Sequence, residues 1–486
     1  MSKYSLFIAL LLIIGVSIIF FAQFLTPTLY DADGYLHIRM AEFLRDFGPH
    51  YNFHWARFST FNGNFSDKDF LYHVLLIPIT FFKDIFFGVK IAAFIFAALL
   101  FLGFYLILKR YSDKTLLPFF LLSFFLSGMF LETISSPRPL TIVILLTIIS
   151  IYLIIEKKHG WLFFASVFYS LIHVTSPLII CYALIIETVR HFDRKEFCIK
   201  TILFSFLGIS VGFLVHPNFP NNLLVFYLNS ILVPIYTIKT GVLELGAEFF
   251  PLNTREYLSG YPVVIIGIIS IICMAVSGRQ VKARFETKVF LTLAAVFFVF
   301  SFTCRRYLGH GYLIMLMAFA SYAADFMQVK KVISKLAVTA IGILAIILGI
   351  ISFDSVRYNA LVARVINGHY EQAGKWMNKN IPEGELIFHA NWSDSQYFIG
   401  LNPKNDYFVT LDPVYMYNKN PELYKIYRDV SFGKTKDPYI VLKDTFNVRY
   451  GYASKDYFNG LVEQIRKDPR FTILAEDGFG IIFKLI

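Results

Sequence analysis

Eleven apolar runs separated by short polar segments restrict this chain to a narrow set of folds. They are Tyr4–Leu25, Val89–Leu108, Leu116–Leu131, Leu140–Ile155, Trp161–His173, Pro177–Val189, Thr201–Val215, Tyr261–Val276, Val289–Phe302, Tyr307–Ala324 and Val332–Ile351. An apolar helix of about 20 residues crosses the roughly 30 Å of bilayer hydrocarbon, so the runs predict a polytopic α-helical membrane protein with about eleven transmembrane helices. Composition agrees: 56% of the residues are hydrophobic, 16% are charged, and mean hydropathy is +0.59. Such a chain is not disordered, disulfide-stapled or an ordinary soluble enzyme. Its net charge of +11 is spread between apolar runs instead of clustered on one face, which argues for membrane orientation and against nucleic-acid binding. The cysteines, Cys181, Cys198, Cys273 and Cys304, show no CxxC spacing and predict neither a zinc site nor a bridge.

Lys and Arg concentrate in the alternate loops LKRYSDK, IEKKHG, RHFDRKEFCIK, SGRQVKARFETK and MQVKKVISK, which therefore face the cytoplasm. The first run follows Met1–Lys3 and has no small-residue cleavage site, so it reads as a retained span with a cytoplasmic N-terminus. An odd number of spans puts the C-terminus on the outer side of the cytoplasmic membrane. Residues 1–353 then form the membrane domain, with a long first outer loop at 26–69. The run Phe70–Phe82 is too short to span and reads as an interfacial or re-entrant outer helix.

Charged residues are about twice as dense from Ser355 onward, and residues 354–486 read as an extracytoplasmic α/β domain. Its short apolar runs, ELIFHA, YFVTLD, PYIVL, VRYGYAS, FTILAE and GIIFKL, predict strands of one sheet. YEQAGKWMNKN and NGLVEQIRKD predict helices.

Residues with chemistry gather on the outer side. The segment Tyr30–Arg39, YDADGYLHIR, follows the first span directly. If it is helical, Asp33 and His37 share a face, where a carboxylate and an imidazole can hold one metal ion or one substrate group; a charged interfacial belt explains it equally. Glu132 and Arg138 occur in FLETISSPRPL, where Pro137 and Pro139 present the arginine rigidly for a phosphate or leave it snorkelling. Glu244 and Glu248 lie in the outer stretch Gly241–Tyr257. Arg305 and Arg306 form a double arginine on the side where basic residues are disfavoured, suited to bidentate phosphate binding or to anionic headgroups. His173 and His216 end spans and read more simply as core or interface. The segment Tyr407–Asn418 offers a sugar-stacking surface or core. No GxSxG, P-loop or GxGxxG occurs.

The segment Asp33–Arg39, DGYLHIR, resembles the first-outer-loop signature of archaeal and bacterial-type oligosaccharyltransferase catalytic subunits, which are GT-C superfamily membrane glycosyltransferases. Asp33, Tyr35, His37 and Arg39 carry the match, and the order of span, loop, outer helix, further spans and soluble tail agrees with it. The resemblance implies a divalent metal, Mg2+ or Mn2+, on Asp33, with Asp31 behind it, Glu132 standing where the family has paired carboxylates, and His37 close by. It implies Glu244 or Glu248 as a mobile-loop carboxylate, with Glu248 completing a catalytic set of Asp33, Glu132 and Glu248. Arg305, Arg306 and Arg138 would bind donor phosphate. Trp392 and Asp394 faintly match the family's acceptor-reading motif, but the rest of that motif is missing, which argues against transfer to asparagine in a sequon. The implied function is transfer of a sugar or oligosaccharide from a polyprenyl-(pyro)phosphate to a glycan, lipid or protein acceptor at the outer face. The alternatives are a non-catalytic lipid or polysaccharide transporter or assembly scaffold, or an inactive GT-C relative. Spans with few charges at their centres disfavour the transporter.

Overall fold

The computed structural model describes residues 2–238, 241–276, 281–329 and 335–486. Parts of the basic loops SGRQVKARFETK and MQVKKVISK, and the start of the last expected span, lie outside the described residues. Among the described residues, three helices are long and apolar enough to cross a membrane: Lys3–Phe24, Ile85–Tyr111 and Gly342–Asn380. Two further apolar helix pairs are sharply bent, each a broken span or a re-entrant loop. Leu117–Ser123 and Gly128–Ser135 meet at 69°, and Thr254–Gly260 and Pro262–Val276 meet at 85°. Leu140–Ile155, His159–Ile172 and Ile199–Leu214 are apolar but short; at 1.5 Å per residue they reach only about 21–24 Å. The protein is a multi-pass membrane protein, although the expected run Leu116–Leu131 is not one straight helix. Ser127 interrupts it, its hydroxyl accepting from Phe130 N–H and donating to Gly260 O at 2.6 Å.

The chain forms two compact units. The first comprises Met1–Pro27, Lys90–Val215 and Gly246–Leu361. Its most buried element is Arg306–Val329, in which Leu313, Ile314, Leu316, Met317 and Ala318 are fully buried. Small residues bring His159–Ile172 and Ile199–Leu214 together: a Cβ on Gly208 would lie 2.5 Å from Phe163 O, and Gly212 sits against Ser170. Glu187 and Arg190, both buried, pair at 3.1 Å; Thr201 and Cys198 N–H donate to Glu187, and Arg190 donates to Ile154 O.

The second unit comprises Thr28–Val89, His216–Leu245 and Val362–Ile486. Its sheet holds β1 (Ile387–His389), β2 (Tyr450–Ser454), β3 (Phe471–Glu476) and β4 (Gly480–Leu485) in the order β1-β2-β4-β3. β1 and β2 are parallel, the other pairs antiparallel, and a bulge lies between Ile473 and Ala475. Two of the expected strands differ. PYIVL is helical, because Asp437 accepts from Ile440 N–H and Pro438 occupies the first turn, a start signal that outweighs its β-branched residues. YFVTLD makes an isolated bridge, Tyr407 to Ala56, and Asp406 just before it bridges to Leu386.

The partner of that extended segment is the long loop that follows the first helix. Tyr407 N–H donates to Trp55 O, Arg57 N–H to Tyr407 O, and Phe58 N–H to Phe408 O. Trp55 is wholly buried and donates Nε1–H to Pro403 O at 2.7 Å. This loop is thus an integral part of the unit, and Tyr407, Phe408 and Tyr415 are core instead of a sugar surface.

Candidate functional site

In the second unit, Asp33 opens the Asp33–Phe47 helix, and Asp31 Oδ1 accepts from Asp33 N–H at 2.9 Å. This Asx turn places two carboxylates at a helix N-terminus, where the macrodipole favours negative charge. The inner face of that helix packs on Asp394–Leu401. Gly400 allows it: a Cβ there would stand 2.5 Å from Tyr35 Cβ, and Arg39 Nε donates to Gly400 O at 2.7 Å. Tyr35 donates to Glu371 at 2.7 Å, so two of the motif's four residues hold the helix in place.

His37 is buried and its Nδ1 lies 2.7 Å from His73 Nε2. His73 Nδ1 lies 2.6 Å from Asp67 Oδ2. His216 joins the same cluster, donating Nε2–H to Asp67 O at 3.0 Å, while burial lowers its pKa. Among the described residues no group of three or more His, Cys, Asp or Glu side chains is arranged to hold a metal ion.

Trp392 is half-buried in the turn before Asp394–Leu401. Asp394 is fully buried; it accepts from Tyr370 Oη at 2.7 Å and from Asn391 N–H. Burial pushes its carboxyl up to about 7. Tyr370 stacks on Tyr397 at 4.1 Å, Tyr397 donates to Asn367 at 2.5 Å, and Asn367 donates to Leu29 O at 2.7 Å. Asp394 is therefore placed as an internal brace of the turn before Asp33, a location that the sequence motif did not suggest. Glu244 also belongs to this unit: Arg428 donates to it at 2.8 Å and to Gly241 O at 3.1 Å. Burial nevertheless raises the Glu244 pKa, with Arg428 pulling the other way.

In the first unit, Glu132 lies in the second helix of a bent apolar pair and accepts from Asn359 Nδ2 at 2.6 Å. Arg138 follows at the start of the next helix, its N–H donating to Ser136 O at 2.8 Å. Arg306 pairs with Glu248 at 2.9 Å and lies over the Phe249 ring at 4.1 Å. Arg305 N–H donates to Phe250 O at 3.0 Å, and its guanidinium stands 3.6 Å from Glu256. The structure therefore brings the double arginine together with the Glu248 stretch and, separately, Glu132 with Asn359. Asn359, Asp67, His73 and Arg428 were absent from the sequence reading. Only Asp67 and His73 carried a local signal, an acidic pair and a histidine at the start of the short apolar run NFSDKDFLYH.

An open apolar groove of about 620 Å3 lies at the 85° break, lined by Thr254, Arg255, Leu258, Pro262, Leu348 and Ile351.

No family model matches the sequence, and no curated protein is significantly similar to it. Solved structures match along its length. The Archaeoglobus fulgidus oligosaccharyltransferase in its apo form superposes with a TM-score of 0.66 over 91% of this chain and 69% of that one, at 13% identity. ArnT from Cupriavidus metallidurans bound to undecaprenyl phosphate gives 0.63 over 99% of this chain and 98% of that one, at 11% identity. The chain has the GT-C fold. Mycobacterial arabinofuranosyltransferase AftD shares it at a TM-score of 0.55 and 12% identity, with all of this chain matching 42% of that protein.

Proposed function

We propose that this GT-C chain is a glycosyltransferase that takes a sugar or oligosaccharide from a polyprenyl phosphate or pyrophosphate at the outer face of the cytoplasmic membrane. Its acceptor is a glycan, a lipid or a protein. The observation that carries the reading is near end-to-end likeness to ArnT, which was solved with undecaprenyl phosphate. The archaeal oligosaccharyltransferase solved with an inhibitory peptide and a dolichol-phosphate supports it. The apolar groove beside Arg255 suits a lipid-linked substrate.

Asp33 is the carboxylate proposed to hold Mg2+ or Mn2+, a cation that takes one or two protein carboxylates and fills the rest of its sphere with phosphate and water. When bound, the cation neutralises charge on the departing phosphate. Arg138, Arg305 and Arg306 are the proposed phosphate ligands, and Arg306 must exchange Glu248 for phosphate to serve. The acceptor heteroatom attacks the anomeric carbon, the C–O bond to phosphate breaks, and the acceptor proton passes to a carboxylate of the site. Acceptor contact is proposed at Trp392, since the Asp394 carboxylate is buried.

The test is turnover of a panel of polyprenyl-phosphate sugars by purified protein in detergent with Mn2+, comparing wild type with Asp33→Asn. A loss of about a hundredfold or more in the variant supports the assignment. Equal rates overturn the role of Asp33. Failure of the folded wild type to consume any donor favours a transporter, a scaffold or an inactive relative.

A further inference from the structure

Asp394 is 0% exposed, yet a row of hydrogen-bonding side chains leads from it to the surface of the second unit. Tyr370 Oη meets Asp394 Oδ1 at 2.7 Å. Tyr452 comes next, its hydroxyl hydrogen-bonded to that of Tyr370, with the two rings 5.8 Å apart. His369 Nε2 lies 2.9 Å from Tyr452 Oη, and His369 Nδ1 pairs with Asp477 Oδ2. Tyr452 and His369 are 1% and 7% exposed, whereas the Asp477 side chain is 39% exposed and meets solvent.

Local structure holds the row in line. In the turn between β3 and β4, Phe479 and Gly480 N–H donate to Asp477 Oδ1 at 2.8 Å and 3.0 Å, which aims Oδ2 at His369. Gly480 also makes room for Tyr452, since a Cβ there would stand 2.6 Å from the Tyr452 Oη. Tyr370 is fixed by its stack on Tyr397. Lys455, which pairs with Glu476 at 2.7 Å, and Asp456 face His369 from the β2 side. Tyr427 faces Asp394 and donates its hydroxyl to His389 O at 2.8 Å.

A carboxyl held near pH 7 exchanges its proton with solvent, and burial closes the direct way. We propose that Tyr370, Tyr452 and His369 form a proton path between Asp394 and the surrounding solution, entered at Asp477. Phenol hydroxyls and imidazole each both give and take a proton, and the path works from either imidazole tautomer because a relay interchanges them. A neutral Asp394 carries its hydrogen on the oxygen facing Tyr370, since Oδ2 accepts from Asn391 N–H. Passing it outward makes Tyr370 donate to Tyr452, Tyr452 to His369 and His369 to Asp477 or water. One proton thus leaves Asp394 as one reaches solution. The path lets the pH of the solution set the charge two residues from Trp392, the proposed acceptor contact. That bearing on acceptor binding rests on the glycosyltransferase reading; the path does not.

The experiment is infrared difference spectroscopy of the full-length protein in detergent, transferred from H2O to D2O at about pH 6, below the Asp394 pKa of about 7, so that the carboxyl is mostly neutral. The Asp394 carboxyl band is identified by its loss in Asp394→Asn, and the rate of its isotope shift is read. Tyr452→Phe keeps the ring and removes the relay hydroxyl. Exchange is then expected to slow about tenfold or more, because it must wait for local opening of the fold. Tyr397→Phe removes a hydroxyl that donates to Asn367 beside the row and is expected not to slow exchange. A loosened fold would speed exchange, so the sign separates a cut path from a structural defect. Should Tyr452→Phe fail to fold, His369→Gln cuts the row one member further out, with the same expectation. No Asp394 carboxyl band in the wild type, exchange as fast in the cut variant as in wild type, or equal slowing in Tyr397→Phe overturns the proposal. Slowed exchange in the cut variant alone, with a wild type that consumes no donor, leaves the path standing and removes the glycosyltransferase reading instead.

Discussion

Glu187 and Arg190 are both buried, and each leans on backbone groups as well as on the other. Removing one partner strands a charge in a medium that cannot solvate it. Glu187→Ala is therefore expected to cost about 3–5 kcal/mol, read as a lower thermal unfolding midpoint in detergent; an unchanged midpoint would show that the pair carries no stability. Asp394 poses the opposite problem, a single carboxyl kept where ionisation is unfavourable. Its folded pKa of about 7 stands above the ordinary value near 3.9. The folded state retains a proton that the unfolded state gives up, so this residue's contribution falls as pH rises from about 4 to about 7. Asp394→Asn should flatten that slope, visible as a smaller difference in unfolding midpoint between pH 5 and pH 8 than in wild type. Equal slopes would sink the assignment. The motif NWSD shows the carboxylate in sequence but not its burial, because Tyr370, which receives it, is 24 residues away.

At the scale of elements, the sequence reads well where periodicity decides and poorly where close approach decides. The runs Trp161–His173 and Thr201–Val215 predict two helices, and the helices His159–Ile172 and Ile199–Leu214 are there. Their packing depends on Gly208 and Gly212, spaced four apart, facing Ser166 and Ser170, a pattern that hydropathy does not register. Gly208→Leu should cost about 1–3 kcal/mol through overpacking, whereas Gly160→Ala, with nothing near its added methyl, should be close to neutral. Parallel thermal-aggregation curves check both, and similar effects from the two would refute the role given to close packing. Conversely, PYIVL reads as a strand from its β-branched residues and folds as a helix because one aspartate and one proline begin it.

For the whole molecule, the decisive feature is the composition of the second unit. Trp55 is fully buried and Phe58 packs on Phe408 at 4.9 Å and Phe446 at 5.4 Å, so the long loop after the first helix supplies core to the C-terminal segment. Expressed alone, residues 362–486 are expected to lack near-UV circular dichroism and a dispersed amide spectrum, and to regain them when residues 28–89 are supplied. Cooperative unfolding of the isolated tail would contradict this. By itself the sequence determined that the chain enters a membrane many times, which loops carry the basic charge, and that Asp33 heads a motif of the GT-C type, because hydropathy, charge and local motifs are properties of contiguous residues. Only the tertiary structure decided that Glu132 meets Asn359, that Arg306 meets Glu248 and that His37 meets His73. Those pairs join residues 36 to 227 positions apart in the chain, and which of many polar side chains come together is fixed only when the packed helices and sheet bring them within hydrogen-bond reach.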